Sequence, residues 1–282
     1  MSLPRLASHV IDDAVARALR EDLGDAGDIT SAATIPANAV SRSLIAARQP
    51  GVIAGVDAVR AAFRQVDPAI NVTVEAGDSA RVEQGDVLIS LDGPSRGVLS
   101  AERVALNFLG HLSGVATATA ALVDAVAGTK AQITCTRKTT PGLRALEKYA
   151  VLCGGGRNHR FGLYDAVMIK DNHIAAAGGI APALAAAKSA LGHMVKVEIE
   201  IDRLDQLEAA ISGGADVILL DNMSTDHMKQ AVAINQARAI LEASGNVTVK
   251  SVRAIAETGV DIISSGWITH SAPSLDVGLD FS

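Results

Sequence analysis

The chain has 282 residues, 49% of them hydrophobic and 20% charged, with 25 glycines and a net charge of −6. This composition excludes a disordered or fibrous chain and leaves room for one large domain or two. Aromatic residues make up only 2%, which argues against stacking platforms for single-stranded nucleic acid. The acidic balance excludes a general attraction to nucleic acid or anionic membrane.

The first segment is acidic and amphipathic, without the apolar core of a signal peptide. Val10, Ala14, Val15, Ala18 and Leu19 share one face of a helix over 9–23, and Asp28-Ile29-Thr30 closes it. Residues 40–48 read as extended, and Pro50-Gly51 as a turn. A short helix over 55–66 follows, then strands at 71–74 and 87–89. Gly77-Asp78, Gly85-Asp86 and Asp92-Gly93-Pro94 punctuate them. Ser100 is the expected N-cap of a long helix. Val104–Val123 carries no charged residue, but Asn107, His111, Ser113 and Thr117 make it too polar for a span, so a buried or interface helix is expected.

Beyond about 130 the rhythm changes. Apolar runs at 132–136, 166–169, 195–199, 217–220, 239–241 and 262–264 alternate with helical patterns at the spacing of βα units. The expected fold is α/β: an α+β N-terminal domain over 1–110, then a TIM-like α/β barrel over 111–270. The tail, 271–282, is expected to pack back on the first domain. Cys135 and Cys153 form neither a CxxC pattern nor a disulfide framework. A reducing, cytoplasmic setting is expected, with no zinc site.

Parallel βα folds bind ligands at the carboxyl ends of their strands. Here those ends carry Arg137-Lys138, Lys170-Asp171, Glu200, Asp221-Asn222, Ser244-Gly245-Asn246 and Ser264-Ser265-Gly266. Residues 130–173 hold eight Lys/Arg against three Asp/Glu, a net +5, which leaves −11 on the other 238 residues. A basic island in an acidic chain points to a small, highly anionic ligand. Pro141 suits a first helical turn, and cations beside a helix start want an anion between them and the helix. Gly154-Gly155-Gly156 permits close approach to a ligand, with Arg157, His159 and Arg160 beyond it. Lys170 could bind a carboxylate or form a Schiff base. Glu198 and Glu200 share a strand face. Glu200 with Asp221 could hold a diol or magnesium, and Glu198 could equally be a structural ion-pair partner. The two Ser/Gly loops are where phosphate binds in a barrel.

The string TRKTTPGLRALEKYAVLCGGGRNHRFGLYDAVMIKDNHI, residues 136–174, resembles the signature of the quinolinate phosphoribosyltransferase family. EDLGDAGDIT, SAERVALNFLGHLSGVAT, VEIEID, GADVILLDN, EASGNV and THSAPSLDVGLDF resemble further family segments in family order. The resemblance implies transfer from phosphoribosyl pyrophosphate to quinolinate with magnesium, giving nicotinate mononucleotide, carbon dioxide and pyrophosphate in NAD biosynthesis. It implies a seven-stranded barrel, where the sequence shows six runs, and a homodimer or higher oligomer. By position, Arg137, His159, Arg160 and Lys170 resemble the quinolinate-binding set, and Arg103 the arginine donated by a partner subunit. Lys138 resembles the lysine between quinolinate and pyrophosphate. Glu200 and Asp221 resemble the acidic pair for ribose and magnesium, with Asp171 a further metal-side candidate. Ser244, Gly245, Asn246, Ser264 and Gly266 resemble the 5′-phosphate loops. Trp267 departs from the smaller residues common there. The competing readings are a phosphoribosyltransferase for another aromatic acid, a Schiff-base lyase using Lys170, and a phosphosugar-binding protein without catalysis.

Overall fold

The computed structural model describes residues 3–281. In chain order the elements begin α1 (Ser8–Leu23), α2 (Ile29–Thr34), β1 (Val40–Ala47), β2 (Gly51–Val52), α3 (Val56–Val66) and β3 (Asn71–Val74). β4 (Arg81–Val82), β5 (Val87–Pro94), α4 (Ser95–Ala125), β6 (Gln132–Thr134) and α5 (Arg144–Cys153) follow. Next come β7 (Val167–Ile169), α6 (Asp171–Ala177), α7 (Ile180–Ala190), β8 (Val197–Ile201), α8 (Leu207–Ser212) and β9 (Val217–Asp221). The last are α9 (Thr225–Asn235), β10 (Ile240–Ser244), α10 (Val249–Ala256), β11 (Ile262–Ser264), α11 (Trp267–His270) and β12 (Val277–Phe281).

These pack as two compact units. The first takes the described residues up to Ala120, Thr139–Gly155 and those from Ser271 on. The second takes Ala121–Lys138 and Gly156–His270. The first is α+β. Its four-stranded sheet runs β12-β1-β5-β3, every neighbour antiparallel. The C-terminal strand thus pairs along β1, from Ser43 opposite Phe281 to Ala47 opposite Val277. Its core is largely aliphatic: Ile45, Leu88, Leu109 and Leu112 are fully buried, with the rings of Phe63 and Phe108 buried among the core residues. Gly114 marks where the tail crosses α4, since a Cβ there would strike the backbone oxygen of Pro273. Gly114→Ala is therefore expected to cost about 1–3 kcal/mol, read as a lowered thermal midpoint with the barrel's secondary structure retained.

Local chemistry explains most of this unit. Asp28 does not close α1; its carboxylate accepts from Ser31 N at 2.9 Å and so caps α2. The long helix starts at Ser95 rather than at Ser100, whose hydroxyl donates back to Arg96 O at 2.8 Å inside the helix. The punctuation Asp92-Gly93-Pro94 belongs to β5, because β1 supplies a partner for each of those residues. α4 is long and apolar enough to cross a membrane, but 72% of its most apolar window is buried. Ser113 Oγ and Thr117 Oγ1 accept from Ala54 N and Val52 N at 3.0 and 2.9 Å, which gives that polarity a packing role.

The second unit is a TIM-like α/β barrel domain. Its sheet runs β6-β11-β10-β9-β8-β7, with every pair parallel. All six expected strands are present. Arg157 adds a single parallel bridge to Thr134, along the edge of β6 that β11 leaves open. This one-residue segment is too short to carry an apolar pattern in the sequence.

Both cysteines are free and buried. Burial, then the nearby Asp78 carboxylate, push the Cys153 thiol up to about 12, so little thiolate is present at neutral pH.

Candidate active site

Side chains alternate along a strand, so each polar strand end marks an inward row. Met168 precedes Lys170, Glu198 precedes Glu200, Leu219 precedes Asp221, and Glu242 precedes Ser244, each by two residues. Strand register levels Ser244 with Asp221 and Ser264, and Leu219 with Glu200 and Glu242. The rows open into a cavity of about 1350 Å³ within the barrel unit. Arg137, Lys138, His159, Arg160, Lys170, Glu200, Asp221, Ser244, Gly245, Asn246, Ser264 and Gly266 all line it. Residues as far apart in the chain as Arg137 and Gly266 thus meet in one place because the strands are parallel and their ends coincide.

Two expected residues stand outside that lining. Arg103 is exposed on α4, and Asp171 is exposed as the first residue of α6. The expectation of a helix start beside Arg137 and Lys138 is also corrected. Pro141-Gly142-Leu143 form a turn, and α5 begins only at Arg144. The cations therefore answer to the cavity and not to a helix dipole.

Sequence reasoning missed Met168, Leu219, Glu242 and the stretch Thr248–Lys250, all of which also line the cavity. Counting back two residues from each polar strand end would have found the first three. Trp267 lines the cavity too, 37% exposed.

The electrostatics suit anions. Burial, then the neighbouring Arg137, hold the Arg160 guanidinium below its ordinary pKa. Two cations that close are relieved by a carboxylate between them. Arg160 Nη1 donates to Ala166 O at 3.0 Å, which orients the fork, and its buried Nε has no protein partner. Lys170 Nζ lies 2.7 Å from Glu200 Oε2. His159 Nε2 lies 2.9 Å from Glu198 Oε2 and 3.7 Å from Glu242 Oε2. Glu198 is therefore a partner of His159, as its ion-pair reading expected.

The loop after β10 is backbone-shaped. Gly245 has φ +102°, a region side chains rarely adopt, and a Cβ there would collide with the Asn222 amide. Asn246, also at positive φ, donates from Nδ2 to Asn222 Oδ1 at 3.3 Å.

Family models of quinolinate phosphoribosyl transferase match both parts of the chain: the N-terminal domain over residues 28–113 and the C-terminal domain over 115–280. The chain belongs to this family. Among quinolinate phosphoribosyltransferases of known name, it is 45% identical to a nicotinate-nucleotide pyrophosphorylase [carboxylating] of Mycobacterium leprae, over 95% of this chain and 96% of that one. It is 44% identical to a probable enzyme of the same name from Bacillus subtilis, over 92% and 89%. The solved nicotinate-nucleotide pyrophosphorylase of Francisella tularensis superposes with a TM-score of 0.95 at 38% identity, over the whole of both chains.

Proposed function

We propose that the chain transfers the phosphoribosyl group of phosphoribosyl pyrophosphate to the ring nitrogen of quinolinate. The carboxylate next to that nitrogen leaves, giving nicotinate mononucleotide, carbon dioxide and pyrophosphate for NAD biosynthesis. The observation that carries this reading is one cavity lined by both a cation set (Arg137, His159, Arg160, Lys170) and an acid pair (Glu200, Asp221). Such a lining suits a dianionic acid beside a sugar with several phosphates.

The chemistry asks for placement more than for proton transfer. The quinolinate nitrogen already carries a lone pair, so no general base is needed. Arg137 and Arg160 hold the carboxylates and aim the nitrogen at C1′ of the ribose. Bonding of nitrogen to C1′ accompanies breaking of the C1′–oxygen bond, whose electron pair leaves with pyrophosphate. Lys138 meets the charge growing on that leaving group. Glu200 and Asp221 face the ribose, where they hold its hydroxyls and oppose the positive charge developing at C1′. The pyridinium so formed accepts the electron pair of the breaking carbon–carboxylate bond, and the ring carbon then takes a proton from water.

Glu200 and Asp221 are hard oxygen donors on neighbouring strands, the donor type that suits magnesium. They would hold the ion, which when bound supplies charge neutralisation for the pyrophosphate. The Ser244–Asn246 and Ser264–Gly266 loops take the 5′-phosphate. Gly245→Ala is expected to raise the KM for phosphoribosyl pyrophosphate about tenfold, through backbone strain and displacement of Asn222, with the KM for quinolinate little changed. Steady-state kinetics with each substrate varied separates the two.

We further place Arg103 at the cavity of a neighbouring subunit, since it is exposed and stands outside the cavity of its own chain. Two free, buried cysteines suit a reducing, cytoplasmic setting. The Schiff-base reading is disfavoured by the Lys170–Glu200 ion pair, which engages the ammonium rather than a nucleophilic amine. Presenting quinolinate, nicotinate and other pyridine acids in parallel tests the acceptor. Nucleotide is expected from quinolinate alone, and equal or faster turnover of a monocarboxylate would overturn the assignment.

A further inference from the structure

The two lysines that the reaction scheme uses are held in different ways. Lys170 is fixed through its ammonium, 2.7 Å from Glu200 Oε2. Lys138 has no ion-pair partner among the described residues. Its placement rests on the main chain, which hydroxyl groups tie on both sides. Lys138 N donates to Thr136 Oγ1 at 3.0 Å. On the other side Thr269 Oγ1, 131 residues away, donates to Lys138 O at 2.7 Å. The same hydroxyl lies 3.2 Å from Gly266 O. It has one proton to give, and the shorter contact takes it. Thr269 is 2% exposed, so bulk water does not replace it.

Thr269 belongs to α11, which follows directly on the Ser264–Gly266 loop. Ser265 N donates to Thr134 O at 3.0 Å and fastens that loop to the end of β6. Thr269 N and His270 N both donate to Gly266 O at 3.1 Å and close the turn. A Cβ on Gly266 would stand 2.9 Å from Lys138 Cδ and 3.2 Å from Thr136 Oγ1, so the lysine stem packs against the loop itself. Main chain and stem of Lys138 thus both take their position from residues 264–270, within the barrel unit. An ammonium on a flexible stem keeps its geometry only when the root of the stem is fixed.

We propose that Thr269 is a positioning residue. Its hydroxyl holds the Lys138 main chain to the segment that carries the 264–266 loop. The seat of the 5′-phosphate and the ammonium for the departing pyrophosphate then share one frame. That frame sets the span between the two ends of phosphoribosyl pyrophosphate.

The catalytic side of this proposal rests on the function proposed above, whereas the hydrogen bond stands without it. Thr269→Val keeps nearly the same shape and removes the donor. It is expected to lower kcat about tenfold, with the KM for quinolinate within about twofold. Thr269→Ser keeps the hydroxyl and is expected to stay within about threefold of wild type in kcat. In a Lys138→Ala background, Thr269→Val is expected to cost less than about twofold more, because a residue that acts through Lys138 has nothing left to place. A further tenfold loss there, or equal losses in the Ser and Val variants, indicates a merely structural role and overturns the proposal. Where Thr269→Val does not fold, Thr269→Ala compared with Thr269→Ser reads the same hydroxyl with the same two outcomes. A second arm needs no turnover. In ligand-free protein labelled with 13C at the Lys138 carbonyl, that resonance is expected to shift in Thr269→Val and to return in Thr269→Ser; an unmoved resonance overturns the proposal. If wild-type protein does not turn over quinolinate, the proposed function fails, while the carbonyl resonance still decides whether Thr269 holds Lys138.

Discussion

Arg137→Ala is expected to raise the KM for quinolinate about a hundredfold or more, with kcat less affected and the folded state intact. A guanidinium meets a carboxylate through two parallel N–H donors, and no remaining side chain reproduces that fork. The fold should not suffer, because Arg137 already works against Arg160: its charge is the second cause, after burial, of the lowered Arg160 pKa. Removing one of two adjacent cations relieves the apoprotein while it deprives the complex. Thermal unfolding in the absence of ligand should therefore match wild type. Near-normal activity at low quinolinate would mean that the acid binds elsewhere.

The second large effect is expected at Lys138. Lys138→Ala should lower kcat by about 10²–10³, the scale for removing one preorganised charge from a transition state, with the KM for quinolinate within a few-fold. Lys138 lines the cavity next to Arg137 in the chain, yet it differs in chemistry. An ammonium is a point charge on a flexible stem, suited to phosphate oxygens whose charge grows as the bond to C1′ breaks. The two variants should thus split cleanly, one in KM for the acid and the other in kcat. A loss in Lys138→Ala confined to the KM for quinolinate would merge the two roles and contradict the division.

Much of the barrel was legible because a parallel strand announces itself twice. An apolar run of a few residues forms the strand, and the next residues, freed from the sheet, carry the polar chemistry. Ile262–Ser264 and its Ser265-Gly266 end show this within five residues, and all six runs became strands of one sheet. What stayed hidden depends on partners distant in the chain. Asp92-Gly93-Pro94 reads as a turn until β1 is placed alongside. Arg157 pairs with Thr134 through a single bridge that leaves no periodic trace. Counting back two residues from Ser244 puts Glu242 on the inward row, but nothing local places it beside His159 and Glu198; only the fold brings the three together. Helix boundaries slipped for a related reason. Gly97 and Pro94 discourage an early start, but Arg96 Nε donates to Ile35 O at 2.8 Å and helps fix the first turn of α4 at Ser95.

The most direct measurement is one incubation of the protein with quinolinate labelled in its 2-carboxylate, phosphoribosyl pyrophosphate and magnesium. Released carbon dioxide and nicotinate mononucleotide are followed together. Equal amounts of both, appearing together and abolished by chelating the metal, are the predicted result. Nucleotide that retains the label, or no product despite binding of phosphoribosyl pyrophosphate, would contradict the proposed reaction.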